Sequence, residues 1–163
     1  MRPDRPGRIF VTSDMVFEGY ADGGGKRVLD GLTASGDLGH LDARGRLFVD
    51  GRADEMIVSG GENVFPREVE DVIAKMSGVN EVAVIGVDDE EFGQRLKAYV
   101  VTGSGGPSED DIKNKVKSDL ARYKVPREVE FLDELPRNAT GKVLKKELKE
   151  RHEESAEKSG SKK

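Results

Sequence analysis

The chain has no cysteine, which removes disulfides, thiolate nucleophiles and cysteine metal sites together. Only two histidines occur, His40 and His152, and their wide separation offers no zinc cluster. No apolar run approaches the roughly 20 residues needed to span a bilayer, and no internal repeat is present. Positive charge is not in excess either: 27 Lys and Arg stand against 32 Asp and Glu, a formal net charge of −5, with an isoelectric point near 5.2. Nucleic acid and anionic lipid both need a positive field, so general affinity for either is not expected. The first residues carry Arg and Pro but no apolar signal core. The expectation is a cytoplasmic protein with no transmembrane segment.

What remains is a well-solvated chain with one modest core. Of 163 residues, 36% are charged and 35% hydrophobic, a size that suits one domain or one domain plus a fragment. Apolar spacing divides the chain unevenly. Arg8 to Val11 and Met15 to Phe17 read as short strands, Gly23 to Gly25 as a loop, and Leu38 to Val49 as a strand pair turning at Asp42 to Gly45. From Asp54 the pattern is self-sufficient: helix 66–76, strands 81–87 and 96–101, helix 108–122, strand 129–132 and helix 142–151. Ser108 with Asp111 makes a capping-box-like start, Ile112, Val116 and Leu120 supply a buried stripe, and Pro126 bars continuation. The two central strands are β-branched and nearly continuously apolar, as strands covered by helices should be. The expected fold class is α+β, with a mostly antiparallel three-stranded sheet flanked by helices. Beyond Arg151, charge, Ser and Gly dominate, so 152–163 is expected to be a disordered charged tail.

Three short motifs carry chemistry. In GRADEMIVSGGENVFPREVE, Gly51 to Glu70, Arg52 can fork donors onto oxygens, Ser59, Gly60 and Gly61 permit a tight turn or a close approach, and Pro66 suits a helix first turn. In PRNATGK, Pro136 to Lys142, a Gly-containing loop presents a lysine beside the expected start of a helix, where an anion can sit. It is not a nucleotide phosphate loop: Pro136 stands where GxxxxGK[ST] requires Gly, and Val143 where it requires a hydroxyl. In Ser35-Gly36-Asp37, the Asp37 carboxylate suits acceptance from vicinal hydroxyls or closure of an Asx turn. Plainer readings stand beside these, with the glycines as turn formers, Arg52 in a surface ion pair and Lys142 as an ordinary exposed lysine.

In this order and at these separations the three motifs resemble the late motifs of the AMP-forming adenylating enzymes: acyl-CoA synthetases, peptide-synthetase adenylation domains and luciferases. The likeness is nearest to bacterial fatty-acid–CoA ligases, runs from about Gly7 to Leu148, and corresponds only to the carboxyl-terminal part of such an enzyme. It implies that 1–52 is a remnant of the large N-terminal adenylation domain and 53–151 the C-terminal lid domain. It further implies that Lys142 touches the carboxylate and the α-phosphate during adenylation, and that Asp37 and Arg52 meet the ribose of ATP or AMP. Asp54 would be the hinge, Gly60 and Gly61 would line the CoA tunnel, and Glu62 would contact the opposite domain. The implied reaction activates a long-chain fatty acid with ATP and Mg2+ as acyl-AMP and passes it to CoA. Missing here are the pyrophosphate loop, the magnesium-binding Glu, the adenine pocket and the acyl pocket, so this chain alone is expected not to turn over. Its expected partner is the N-terminal adenylation domain of the same enzyme. A non-enzymatic interaction module and an adenylation domain serving a carrier protein are the alternatives.

Overall fold

The computed structural model describes residues 6–12 and 27–160, with the backbone alone over 157–160. The fold class is α+β, and the chain divides into two compact units, Met1–Met56 and Ile57–Lys163. The break falls slightly after the expected 52/53 boundary. The readings at Met15 to Phe17 and Gly23 to Gly25 lie outside the described residues.

The first unit is an antiparallel sheet of β1 (Gly7–Val11), β2 (Val28–Leu29), β3 (Leu32–Leu41) and β4 (Leu47–Arg52). β3 is its hub, with β1 on one edge and β2 and β4 following one another on the other. Asp42 shapes the β3–β4 turn, its Oδ1 accepting the N–H groups of Arg44 and Arg46 at 2.9 and 2.8 Å. This sheet has little core. Among the described residues of the unit only Thr33 and Gly39 are buried, while Val28 and Val49 are 62% and 63% exposed.

The second unit contains β5 (Ile57–Ser59), β6 (Glu62–Val64), α1 (Pro66–Ile73), β7 (Val79–Asp89), β8 (Gly93–Thr102), α2 (Glu109–Asp119), β9 (Glu128–Phe131) and α3 (Lys145–Gly160). β8 pairs antiparallel with β7 along its length; its other edge takes β9 in parallel at Lys97 to Val100 and β5 at Gly93. The three strands expected from apolar pattern are β7, β8 and β9, and the β5–β6 hairpin brings the sheet to five.

Alternation explains why β7 and β8 are apolar throughout, because both faces are covered. Val84, Leu96, Ala98 and Val100 pack with Val69 and Ile73 of α1 and Ile112 and Val116 of α2. Ala83, Ile85, Val87, Tyr99 and Val101 pack on the opposite side with Leu135 and with Leu148 of α3. The buried Tyr99 hydroxyl is satisfied by donating to the Leu148 carbonyl at 3.0 Å.

Helix ends differ from the sequence expectation. α1 stops at Ile73, and the chain turns through Gly78 at φ 84° into β7. α2 stops at Asp119, and Arg122–Lys124 form a 3-10 turn before the buried Pro126. α3 begins at Lys145 rather than Lys142 and continues to Gly160; 161–163 lie outside the described residues, and helix stands where disorder was expected over 152–160. The reason is lateral: His152 Nδ1 accepts from the buried Lys97 ammonium at 3.2 Å, and Ala156, one turn on, lines a groove with Gly86 and Val87. No described helix is long and apolar enough to cross a membrane.

Candidate functional site

Strand register puts Asp37 opposite Arg52 at one end of the β3–β4 pair, where the Ala53 N–H donates to the Gly36 carbonyl at 2.9 Å. Gly36 has φ 93°, and a Cβ there would come within 3.0 Å of Arg52 Nη1, so the missing side chain leaves the guanidinium its place. Arg52 Nε and Nη2 both donate to the Asp54 carboxylate, each at 3.1 Å. That hydrogen bonding, then the Asp54 charge and more weakly the Asp37 charge, holds the Arg52 pKa above its ordinary value. Asp37, Arg52 and Asp54 therefore form one cluster. The Asx reading of Asp37 is replaced by a hydroxyl turn, in which Ser35 Oγ accepts the Asp37 N–H at 3.2 Å and donates to the Ile9 carbonyl. Among the described residues no hydrogen bond falls on the Asp37 carboxylate.

Gly60 and Gly61 are the two central residues of the β5–β6 turn, with φ 59° and 83°, and Ser59 pairs with Glu62 across it. A two-residue hairpin turn with both central φ positive demands glycine or a close substitute, so the backbone explains both residues before any ligand is considered. The tip is anchored to the β7–β8 turn. The Gly60 N–H donates to the Phe92 carbonyl at 2.9 Å, and a Cβ on Gly60 would lie 3.1 Å from the Phe92 ring. The Arg95 guanidinium covers that ring at 3.5 Å and is held by Asp89, whose carboxylate also accepts the Glu91 and Phe92 N–H groups. Those contacts, the Phe92 N–H first, hold the Asp89 pKa below its ordinary value. Gly61 has open space around it, and Glu62 is exposed.

Lys142 lies in the loop between β9 and α3. Arg137 and Val143 form a single antiparallel bridge, and Gly141 closes the tip at φ 83°. Asn138 organises the interior, its Oδ1 accepting the Thr140 N–H, the Thr140 hydroxyl and the Lys142 N–H at 3.0, 2.7 and 2.9 Å. The lysine thus belongs to a small hairpin, not to a helix start, so Asn138 rather than a helix dipole governs its setting. Its side chain is exposed and, among the described residues, has no carboxylate partner. Arg137 ties the loop to the sheet: Nη1 donates to the Gly141 carbonyl, and Nη2 to Glu81 near the start of β7 at 2.8 Å.

The glycine hairpin meets β7 at its other end, beside Asp89. Asp89 lies eight positions after Glu81, about 27 Å along β7 at the usual strand rise. The two motifs therefore stand at opposite ends of one rigid β7–β8 ladder. Sequence reasoning did not find Arg137, Asn138, Glu81, Phe92 or Arg95. Asn138, with Thr140 and Gly141 after it, was legible as an Asx turn; the others are joined by contacts distant in sequence or made on strands. Among the described residues no group of three or more His, Asp or Glu could hold a metal ion.

The profile of the AMP-binding enzyme C-terminal domain matches residues 68–142. The chain is 46% identical over 149 residues to a (methyl-dioxo-octahydroindenyl)propanoyl:CoA ligase of Rhodococcus jostii, covering 88% of this chain and 29% of that protein. It is 39% identical over 155 residues to a long-chain-fatty-acid–CoA ligase of Mycobacterium tuberculosis, covering 93% and 31%. Among solved structures, the o-succinylbenzoate CoA synthetase of Bacillus subtilis with its acyl-adenylate intermediate superposes with a TM-score of 0.84 at 36% identity, covering 91% and 31%. The chain spans about 30% of the length of these relatives. It belongs with the C-terminal portions of the AMP-forming acyl-CoA synthetases.

Proposed function

We propose that the chain is the C-terminal part of an ATP-dependent acid–CoA ligase that activates a carboxylate as acyl-AMP and passes the acyl group to CoA. The observation that carries the reading is the placement of Lys142 and the Gly60-Gly61 turn at opposite ends of one ladder. Two motifs anchored about 27 Å apart along β7 are poorly placed to meet one reaction centre in one pose, which is what two half-reactions served in turn require. Residues 1–52 are read as the edge of the adenylation domain and 53–151 as a lid swinging about Asp54.

In the first step, a carboxylate oxygen attacks the α-phosphorus of ATP, the bond to the β-phosphate breaks and pyrophosphate leaves, and repulsion between two anions limits the rate. The exposed Lys142 ammonium stabilises the charge that builds between them, an effect worth about a hundred- to a thousandfold. Asp37 accepts from the ribose hydroxyls, and Arg52, held by Asp54, offers its remaining donors alongside. In the second step the bare backbone of Gly60 and Gly61 passes the pantetheine arm of CoA, whose sulfur attacks the acyl carbonyl as AMP leaves, with Glu62 meeting the opposite domain. Mg2+ would neutralise phosphate charge when bound, and we assign its site to the part of the enzyme outside this chain. We read the acid as a long-chain fatty acid, supported by the likeness to the Mycobacterium tuberculosis ligase, and the setting as cytoplasmic.

The test separates the half-reactions in the intact enzyme. Lys142→Ala is expected to slow single-turnover adenylation by two or more orders of magnitude while leaving conversion of supplied acyl-adenylate to acyl-CoA unchanged. Equal loss in both steps would sink the alternating account. A panel of aliphatic and cyclic acids, scored by kcat/KM, checks the fatty-acid reading.

A further inference from the structure

The ammonium of Lys142 sits at the end of a long side chain on a loop with one bridging pair of residues, yet its proposed work needs placement to within about 0.5 Å. Asn138 gives the loop an internal shape, and the Leu144 N–H closes its base on the Pro136 carbonyl at 2.8 Å. Neither bond fixes the loop against the sheet. Leu135 and Val143 seat its base on the apolar face of Ala83, Ile85 and Tyr99, and Arg137 adds the directional polar tie. One face of its guanidinium fork takes the carbonyl of Gly141, the residue immediately before Lys142, and the other takes Glu81, 56 residues away on β7. Glu81 follows a register shift in the β7–β8 ladder after Val79, a bulge of the kind that re-aims a strand side chain.

We propose that Arg137, braced by Glu81, is a positioning residue for Lys142, an inference that rests on the adenylation role given to that lysine. The arrangement needs arginine, because a planar fork can hold a carbonyl and a carboxylate at once and an ammonium point charge cannot hold both in fixed directions. It adds little to stability. The two side chains are 42% and 37% exposed, a setting in which ion pairs contribute little to folding free energy. A bond that hardly stabilises yet joins the lysine loop to the rigid ladder acts by orientation.

The experiment measures both half-reactions in the intact enzyme for Arg137→Ala, Arg137→Lys, Glu81→Ala, the Arg137→Ala/Glu81→Ala pair and Arg137→Ala in a Lys142→Ala background. Arg137→Ala is expected to slow single-turnover adenylation about tenfold, the scale of a small misplacement, with KM for ATP, the thioester step and the urea midpoint unchanged. Arg137→Lys should recover less than half of that loss on a logarithmic scale. Glu81→Ala should resemble Arg137→Ala, the pair should be no worse than Arg137→Ala alone, and Arg137→Ala should cost nothing further once Lys142 is gone. Undiminished adenylation, loss shared equally by both steps, full rescue by lysine, or an additive loss in the Lys142→Ala background would each overturn the proposal. If Lys142→Ala itself left adenylation intact, the lysine assignment would fall and the clamp with it.

Discussion

The two units satisfy their backbones in the same way and their side chains in opposite ways. Unit 57–163 sandwiches its sheet between α1 and α2 on one face and α3 on the other, and fills both interfaces. Unit 1–56 has a paired sheet but leaves Leu47, Phe48 and Val49 at 50%, 43% and 63% exposure. Strand pairing alone does not make a core, because the hydrogen bonds exchange with water at little net gain while each apolar side chain left wet forgoes its burial energy. The candidate residues divide accordingly. Lys142 and the Gly60-Gly61 turn hang on a braced frame, and the Asp37–Arg52–Asp54 cluster on an unfilled sheet. Amide exchange in the 163-residue chain should show the contrast most strongly, with β7 and β8 amides at Val82 to Val87 and Leu96 to Val101 slower than those of β3 and β4 by about a thousandfold. Comparable protection in β3 would mean that the first unit is held by something other than side-chain burial.

A pair of truncations sharpens the same contrast at the level of single residues. Ile112 is fully buried between α2 and the sheet, so Ile112→Ala should lower unfolding free energy by about 2–5 kcal/mol in a urea titration. Val49 on β4 is 63% exposed, and Val49→Ala should change it by no more than about 0.5 kcal/mol. A Val49→Ala loss as large as that of Ile112→Ala would break the distinction between the units.

The same contrast decided what could be read from sequence. β7, β8 and α2 were legible because burial on two faces, or on one helical stripe, writes a pattern into the residues: VAVIGV has no polar side chain and LKAYVV only Lys97 and the Tyr99 hydroxyl. The β5–β6 hairpin was half legible. Gly60-Gly61 marked a turn, but three-residue strands are too short for alternation to show, and the pairing of Ser59 with Gly93 is a tertiary fact. The start of α3 was misplaced because Asn138 draws the Lys142 N–H into an Asx-centred loop, and the end of α3 because a single His152–Lys97 contact leaves no periodic trace. In the site, Asp37, Arg52, Asp54 and Lys142 were visible as motif positions. The forked Arg52–Asp54 bond has neighbours only two residues apart and could have been guessed; the Arg137–Glu81 clamp joins positions no local pattern connects.

That His152 contact belongs to a charged cluster under α3, and its pH dependence supplies the smallest of the expected effects. Lys97 is 5% exposed, and its ammonium meets Glu130 at 3.0 Å and Glu128 at 3.4 Å. Burial alone would pull the Lys97 pKa down, but the Glu130 hydrogen bond and the neighbouring charges outweigh it and leave the value raised. Burial likewise pushes Glu130 up, and hydrogen bonds from Lys97 and Arg151 outweigh it and leave the value lowered. A lowered carboxylate contributes stability in full above its ordinary value of 4.5 and loses it as pH falls through the lower, folded-state value. A raised ammonium contributes in full below 10.5 and loses its share as pH rises through the higher one. The cluster should therefore stabilise the second unit on a plateau between those limits. Glu130→Gln, which cannot ionise, should be less stable than the parent by about 1–2 kcal/mol on that plateau, and the gap should shrink once pH drops below 4.5. Val49→Ala provides the control in the first unit, since it removes no charge and its gap from the parent should be the same at every pH. A gap for Glu130→Gln that stayed constant into acid would show that Glu130 contributes packing rather than charge to the seat of α3.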